Sequence, residues 1–425
     1  MRAVLTRGFR VLVVVVSSLP GFALAPALLL VDRPSVSDQF FLLLSAAQLG
    51  AAITAHPYEG LTLANLSFHI GRFGDFSSDF YKRSLRISLV LGSVVALPTA
   101  AIAAVVHLSL YDATFTASLA FGSTLLLTVP VVACVASSYG AVLIASEAYN
   151  VVLFSNFFRG VFSVAVALLV PSYVALCGAY LAGEVVRLFF LLGASRRLHV
   201  GKSLDAVPMF IELHSLPSQV ASGLIGQSPF TLIRSLLALG PPGLVSIGEF
   251  ALRIFIAVNQ VVSAAVTMPS VGRFPKMVAQ TFGGSISSLF REERRKLFWE
   301  SAAWTCLAMT ALWVTLLFSP DGLPDNLRRG SVLGLFALLA VPVNSLVFWQ
   351  SRITLFAGWT RGLIVVPSVF LIGTAAAGFF LLAYNDAAVV LSFVFGQILA
   401  VVASSVAVSR FALLQIRVKH PELLP

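Results

Sequence analysis

About twelve apolar segments of roughly 20 residues run through the chain, each long enough to cross a bilayer as a helix. They lie at 11–31, 39–65, 87–109, 114–145, 149–170, 172–194, 213–239, 243–270, 297–319, 331–350, 362–384 and 387–409. Charged residues are only 11% of the 425 and mean hydropathy is +0.94, values that fit no soluble single-core domain. The expected fold class is an all-α polytopic membrane protein of about twelve transmembrane helices.

The connectors orient the bundle. One alternate set carries Arg2, Arg7, Arg10, Arg72, Lys82, Arg83, Arg86, Arg196, Arg197, Lys202, Arg273, Lys276, Arg291, Arg294, Arg295, Lys296, Arg352, Arg361, Arg410, Arg417 and Lys419. The other set carries only Arg33, Arg328 and Arg329. Basic connectors stay in the cytoplasm, so both termini are expected inside. The same residues account for nearly all of the +10 net charge, which reads as helix orientation and contact with anionic lipid rather than nucleic-acid binding. Cys134, Cys177 and Cys306 lie in apolar spans without metal-ligand spacing and read as small packing residues. The Arg-rich start followed by 11–31 is similar to a signal peptide, with Ala23-Leu24-Ala25 similar to a cleavage site, but its length points to a retained first helix.

No connector reaches the size of a domain, so function must be built from the helices. A polar break at 195–212 near the midpoint divides the chain into an N-terminal six-helix half, 1–200, and a C-terminal half, 201–425. Gln48 to Pro57 (QLGAAITAHP) and Gln260 to Pro269 (QVVSAAVTMP) align at an offset of half the chain, each in the second helix of its half. A parallel repeat of this kind is a transporter architecture, with the pathway between the halves. Pro20, Pro57, Pro98, Pro130, Pro269, Pro342 and Pro367 mark expected kinks.

Ionisable residues inside spans are costly and mark function. Here they are Glu59, Arg159, Glu184, Arg187, Arg234, Glu249 and Arg253. Glu184 with Arg187 and Glu249 with Arg253 have the spacing of same-face helical pairs, whereas Arg159 and Arg234 have no such local partner. The plain alternative is a set of ion pairs that only permit insertion. The functional one is a positively charged path of Arg159, Arg187, Arg234 and Arg253, whose guanidinium forks suit pyrophosphate. The histidines show no paired ligand spacing, and His56, beside Pro57 and near Glu59, is read as the one inside a span, where packing outweighs proton relay. Hydrolase, metalloprotease and nucleotide-binding motifs are missing, so no enzyme activity and no cofactor are expected.

Several stretches resemble the MOP exporter superfamily, whose branches include multidrug extruders, polysaccharide exporters and MurJ-like lipid II flippases. Ser37-Asp38-Gln39-Phe40-Phe41 resembles the small-residue–Asp–Ala–Phe–Phe signature that opens the flippases' second helix. Tyr58-Glu59-Gly60-Leu61 falls where they carry Ala-Glu-Gly-Ala. Gly248-Glu249-Phe250-Ala251-Leu252-Arg253, leading to Pro269, resembles their Tyr-Ala-Asp-Arg stretch. The run Leu239-Gly240-Pro241-Pro242-Gly243-Leu244-Val245-Ser246 is similar to their turn between helices 7 and 8. The resemblance implies two six-helix bundles around a central cavity and alternating-access movement of a lipid-linked saccharide in a bacterial cytoplasmic membrane. It implies a headgroup role for Arg253 and an acidic residue of family type at Asp38. The chain departs from lipid II flippases by lacking arginines in Ser18-Leu19-Pro20-Gly21-Phe22-Ala23-Leu24 and basic residues at Gly50-Ala51-Ala52, and by having twelve rather than fourteen helices. That points to a different saccharide carrier.

The first functional expectation is therefore a flippase for a polyprenyl (pyro)phosphate-linked saccharide, driven by an Na+ or H+ gradient or the membrane potential. Substrate contacts fall to Arg253, Arg234, Arg159 and Arg187, and coupling or gating to Glu59, Glu249, Asp38 and Glu184. The expected partners are the lipid-linked saccharide, anionic lipids and envelope polysaccharide assembly proteins, with no nucleic acid. Rival readings are a drug-type ion-coupled antiporter, a membrane-embedded sugar enzyme using the largest outer connector (320–330), and a non-transporting scaffold.

Overall fold

The computed structural model describes residues 2–31, 34–73, 78–111, 116–146, 148–196, 216–267, 269–271, 274, 286–318, 323–356, 362–381 and 386–412. Within these, the side chains of 2–8, 10, 11, 56, 57, 59–73, 78–82, 149, 216–219, 355, 356, 362, 363, 381, 386 and 412 lie outside the description. Every regular element among the described residues is helical. The first span is α1 (Arg2–Leu30), the second α2 (Pro34–Phe73). The third is α3 (Ser78–Leu91), a π-helical turn at Gly92–Ala96, and α4 (Leu97–Leu110). Then follow α5 (Ala117–Ala145), the pair α6 (Tyr149–Ser155) and α7 (Phe157–Leu169), α8 (Tyr173–Ser195) and α9 (Leu216–Leu237). The eighth span is α10 (Leu244–Val262) with a π-helical turn at Ser263–Thr267. The last four are α11 (Ile286–Phe318), the pair α12 (Asp325–Leu338) and α13 (Val341–Phe356), α14 (Gly362–Leu381) and α15 (Asp386–Ala407). Each of the twelve expected spans thus finds a helix. Among the described residues nine helices are long and apolar enough to cross a membrane, or ten counting the bent α12–α13 pair as one.

Proline chemistry explains several interruptions. Proline lacks an N–H and its ring collides with the carbonyl four residues earlier. For Pro98 that carbonyl belongs to Val94, inside the first π-helical turn; for Pro269 it belongs to Ala265, inside the second. Widening the helix by one residue accommodates the lost bond without breaking the span. Pro342 sits just beyond the 45° bend between α12 and α13. Ser and Thr supply the opposite signal. Thr116 Oγ1 accepts from the Leu119 N–H at 3.1 Å and Ser172 Oγ from the Ala175 N–H at 3.3 Å, capping α5 and α8. One expectation needs correction: α12 begins at Asp325, so much of the connector at 320–330 is helix rather than an open outer loop.

The chain forms two compact units, one of Val16–Ser246 and one of Met1–Val15 with Ile247–Pro425. In the first, α2 is the hub and packs on α5, α9 and α4. Its run from Phe40 to Leu44 is buried on all sides, the pattern of a helix enclosed by others. The α4 residues Ile102, Val105 and Val106 are exposed instead, a face suited to lipid. In the second unit α15 packs on α14, α13 and α12, and α11 on α13. Its core joins Phe274, Phe290 and Trp349 by ring contacts, and Phe255 with Phe393.

Close helix crossings rest on missing side chains. Gly183 of α8 lies against the backbone of α7, where an added Cβ would stand 2.6 Å from the Phe158 carbonyl and 3.0 Å from the Arg159 Cα. Ten residues on, Gly193 has nothing within 4 Å of the same position. Gly183→Ala is expected to destabilise the protein by about 1–3 kcal/mol, because backbone must move. Gly193→Ala should be neutral or stabilising by up to about 1 kcal/mol, through the lower entropy of the unfolded chain. Thermal unfolding of the two variants in one detergent compares them directly.

Candidate functional site

Three interior charges of the first unit, Arg159, Glu184 and Arg187, meet at Glu184. This residue of α8 is buried to 1% exposure in lipid-length apolar surroundings, so its carboxylate requires cationic partners. Oε2 receives Arg187 Nη1 at 3.2 Å from one turn away on the same helix. Oε1 pairs with Arg159 Nε from α7. Arg187 Nε also donates to Ser155 Oγ at 3.3 Å. Ser155 ends α6, and Asn156 separates it from α7, so the break in the fifth span brings this hydroxyl to the arginine. Two guanidinium groups thus share one carboxylate, leaving a formal charge of +1 on the triad. The Arg159 side chain remains 35% accessible. Four phenylalanines, Phe154, Phe157, Phe158 and Phe190, pack around one another on the same helices.

Arg159 finds Glu184 across the α7–α8 crossing, a pairing that spacing within one helix cannot reveal. Arg234 of α9 is 5% exposed and makes contacts of its own. Glu249 and Arg253 of α10 form the expected same-helix pair, with Nε to Oε1 at 2.9 Å. They belong to the second unit, whereas Arg159, Glu184, Arg187 and Arg234 belong to the first. The Glu59 side chain, and that of His56, lie outside the described residues.

Asp38 stands in the first turns of α2, buried to 0% exposure. Its Oδ2 accepts from the Gly243 N–H at 2.6 Å; its Oδ1 accepts from the Ser246 N–H at 2.9 Å and the Ser246 hydroxyl at 2.6 Å. The Tyr111 hydroxyl at the end of α4 donates to it as well. These are the orphan N–H groups of the first turn of α10, capped from another helix by a charge that complements the helix dipole. Gly243 makes the turn with φ +95°, a conformation that costs any other residue, and a Cβ there would meet Pro34 at 3.3 Å.

The sequence reading missed two groups. His107, not only His56, lies inside a span: it is 1% exposed in α4, and its Nδ1 stands 2.8 Å from the Leu42 carbonyl. Its one available signal was position, four residues before Tyr111 and within 87–109. Glu293 falls between the spans expected at 243–270 and 297–319, yet α11 extends back over it; it is buried and accepts from the Ser270 hydroxyl at 2.7 Å. An amide chain also crosses the second unit, with Asn344 donating to Asn259 at 2.9 Å and Gln397 donating to Asn344 at 3.2 Å.

No protein-family model and no curated protein matches the sequence. Solved structures do match in fold. An inward-facing multidrug resistance MATE family transporter of the MOP superfamily is 15% identical, with 94% of this chain and 98% of that one covered at a TM-score of 0.59. A MOP superfamily transporter from Pyrococcus furiosus, described as having a binding pocket of reversed polarity, is 15% identical with coverages of 97% and 96% and a TM-score of 0.57. The lipid II flippase MurJ in an inward closed conformation is 12% identical, with 95% and 90% covered and a TM-score of 0.53. The fold is therefore that of MOP superfamily transporters, in a multi-pass membrane protein, as the sequence resemblance implied.

The cap makes a pH prediction. Burial, then the Asp38 charge, then the hydrogen bond to Asp38 push the Tyr111 phenol up to about 12. With Asp38→Asn the charge is gone and burial remains, so Tyr111 should ionise at lower pH, between about 10 and its native value. The difference between tyrosinate absorbance titrations of Asp38→Asn with and without Tyr111→Phe checks this. An unchanged titration would mean that Asp38 does not act on Tyr111.

Proposed function

We propose that the protein moves an anionic polyprenyl (pyro)phosphate-linked saccharide from the inner to the outer leaflet of a bacterial cytoplasmic membrane, for surface polysaccharide or envelope assembly. The observation that carries this reading is the sharing of Glu184 by Arg159 and Arg187, which leaves a cationic group within the apolar depth of the first unit. Guanidinium groups bind phosphate oxygens in paired hydrogen bonds and cannot shed their proton, so an anionic headgroup is the ligand such a site attracts. Arg234 adds a second buried cation in the same unit. Anionic lipids would meet the basic connectors on the cytoplasmic side, and an Na+ or H+ gradient or the membrane potential would drive the cycle. Envelope assembly proteins are proposed as consumers of the product.

A drug-type antiporter is the second reading, favoured by the MATE fold match. Cationic amphiphiles would need a cavity of net acidic character, which the Arg159–Glu184–Arg187 triad opposes.

The test follows the leaflet position of a radiolabelled polyprenyl-pyrophosphate saccharide in vesicles. Arg159→Gln, Glu184→Gln and Arg187→Gln together remove every charge of the triad without leaving one buried and unpaired. Outward movement should fall by at least about tenfold, the effect of losing a charge-assisted contact to an ionised ligand. Undiminished movement in this variant would remove the triad from the mechanism. Movement of a cationic drug, and none of the saccharide, would favour the antiporter.

A further inference from the structure

His107 is held in one defined state. A carbonyl oxygen only accepts, so the 2.8 Å contact with Leu42 means that Nδ1 carries the proton and donates it. In the neutral ring the other nitrogen, Nε2, then presents a bare lone pair. It is buried and has no hydrogen-bond partner among the described residues. A buried nitrogen in this condition has two ordinary fates, a bound donor or a proton of its own.

The surroundings decide what a proton would do. The helices α2 and α4 run antiparallel here, and their contacts form two rungs one turn apart: Asp38 with Tyr111, and Leu42 with His107. Arg234 of α9 is near enough for its charge to act on the ring. Among the described residues, α2 offers Asp38, which already accepts from Gly243, Ser246 and Tyr111, and α9 offers Arg234. From α5, which also packs on α4, the titratable groups Cys134 and Tyr139 face elsewhere, Cys134 toward Thr54 and Gly92 and Tyr139 toward Arg196. No described carboxylate is placed to receive a new N–H from Nε2. Protonation would set a second cation beside Arg234 in a buried setting and would strain the α2–α4–α9 packing.

We infer that His107 Nε2 is the proton-binding site of this protein, and that a proton there drives the first unit out of the arrangement described. The inference rests on the transport reading only for its role in a cycle. The site lies in the turns of α4 next to Tyr111, the end that the basic-connector pattern assigns to the outer side, so the proton would be taken from outside. This differs from the sequence expectation, which gave coupling to Glu59 and Glu249.

The experiment uses the full chain in lipid nanodiscs, with 15N-labelled histidine and with spin labels at Ser109→Cys and Leu239→Cys in a Cys306→Ser background. His107→Gln assigns the ring resonance, and its amide can still donate to the Leu42 carbonyl, so the helices stay paired. As the pH is lowered the His107 ring should pass from the Nδ1–H form to the doubly protonated form, and the label distance should change with the same midpoint. The Gln variant should show a distance independent of pH. Arg234→Gln should move both midpoints to higher pH together. A distance change that occurs while the ring stays neutral, or one that persists in His107→Gln, overturns the inference. In the vesicle assay, the pH dependence of movement, expected to be on the order of tenfold, should vanish in His107→Gln. Movement with the same pH profile in both proteins defeats the proton site and leaves the transport reading standing. Label distances that follow His107 in a protein that moves no saccharide defeat the transport reading and leave the proton site standing.

Discussion

Inside a bilayer there is no water to complete a hydrogen bond, and the helices here are arranged around that lack. Side-chain hydroxyls of Thr54, Thr99, Ser123 and Ser137 turn back to the carbonyl one helical turn earlier, so they need nothing from outside their own helix. Groups that cannot do this must find partners on other helices, and those partners decide which helices meet. Asp38 selects the first turn of α10 and the end of α4. Glu184 selects Arg159 on α7. In each case a single carboxylate that would be prohibitively costly alone becomes a fastening point between helices once its donors are in place.

The backbone meets the same constraint at proline. A soluble helix can break at a proline and let water take the freed carbonyl. A span cannot, so Pro98 and Pro269 are preceded by π-helical turns that keep the chain helical while moving the i−4 carbonyl clear. Where the chain parts at Asn156, a local group takes advantage: Ser155 receives Arg187. The break at Asn156 therefore gives α6 a polar contact with α8.

Charge is distributed by the same logic. The arginines within spans are neither free nor idle; they sit against Glu184 or Glu249, or are buried as Arg234 is. A one-to-one pair such as Arg253 with Glu249 neutralises itself. A two-to-one arrangement such as Arg159 and Arg187 on Glu184 places two guanidinium groups on one carboxylate. His107 adds a group of variable charge near Arg234. The proposed anion binding and proton response would draw on these two groups.

Span number, helical class and the placement of Arg159, Glu184, Arg187, Glu249 and Arg253 within membrane-length apolar helices were legible in the sequence, because hydropathy and helical spacing are local properties. The Glu249–Arg253 pair was legible for the same reason, as were the interruptions at Pro98 and Pro269 and the bend near Pro342. The resemblance carried by Asp38, Gly243 and Ser246 pointed to the right fold without revealing that these residues bind one another across some 205 positions of chain. Only the tertiary structure decided that Arg159 shares Glu184, that Asp38 caps α10, that Glu293 is buried and that His107 faces Leu42. Each of these depends on which helix stands beside which. Packing sets that neighbourhood, and no spacing within one helix encodes it.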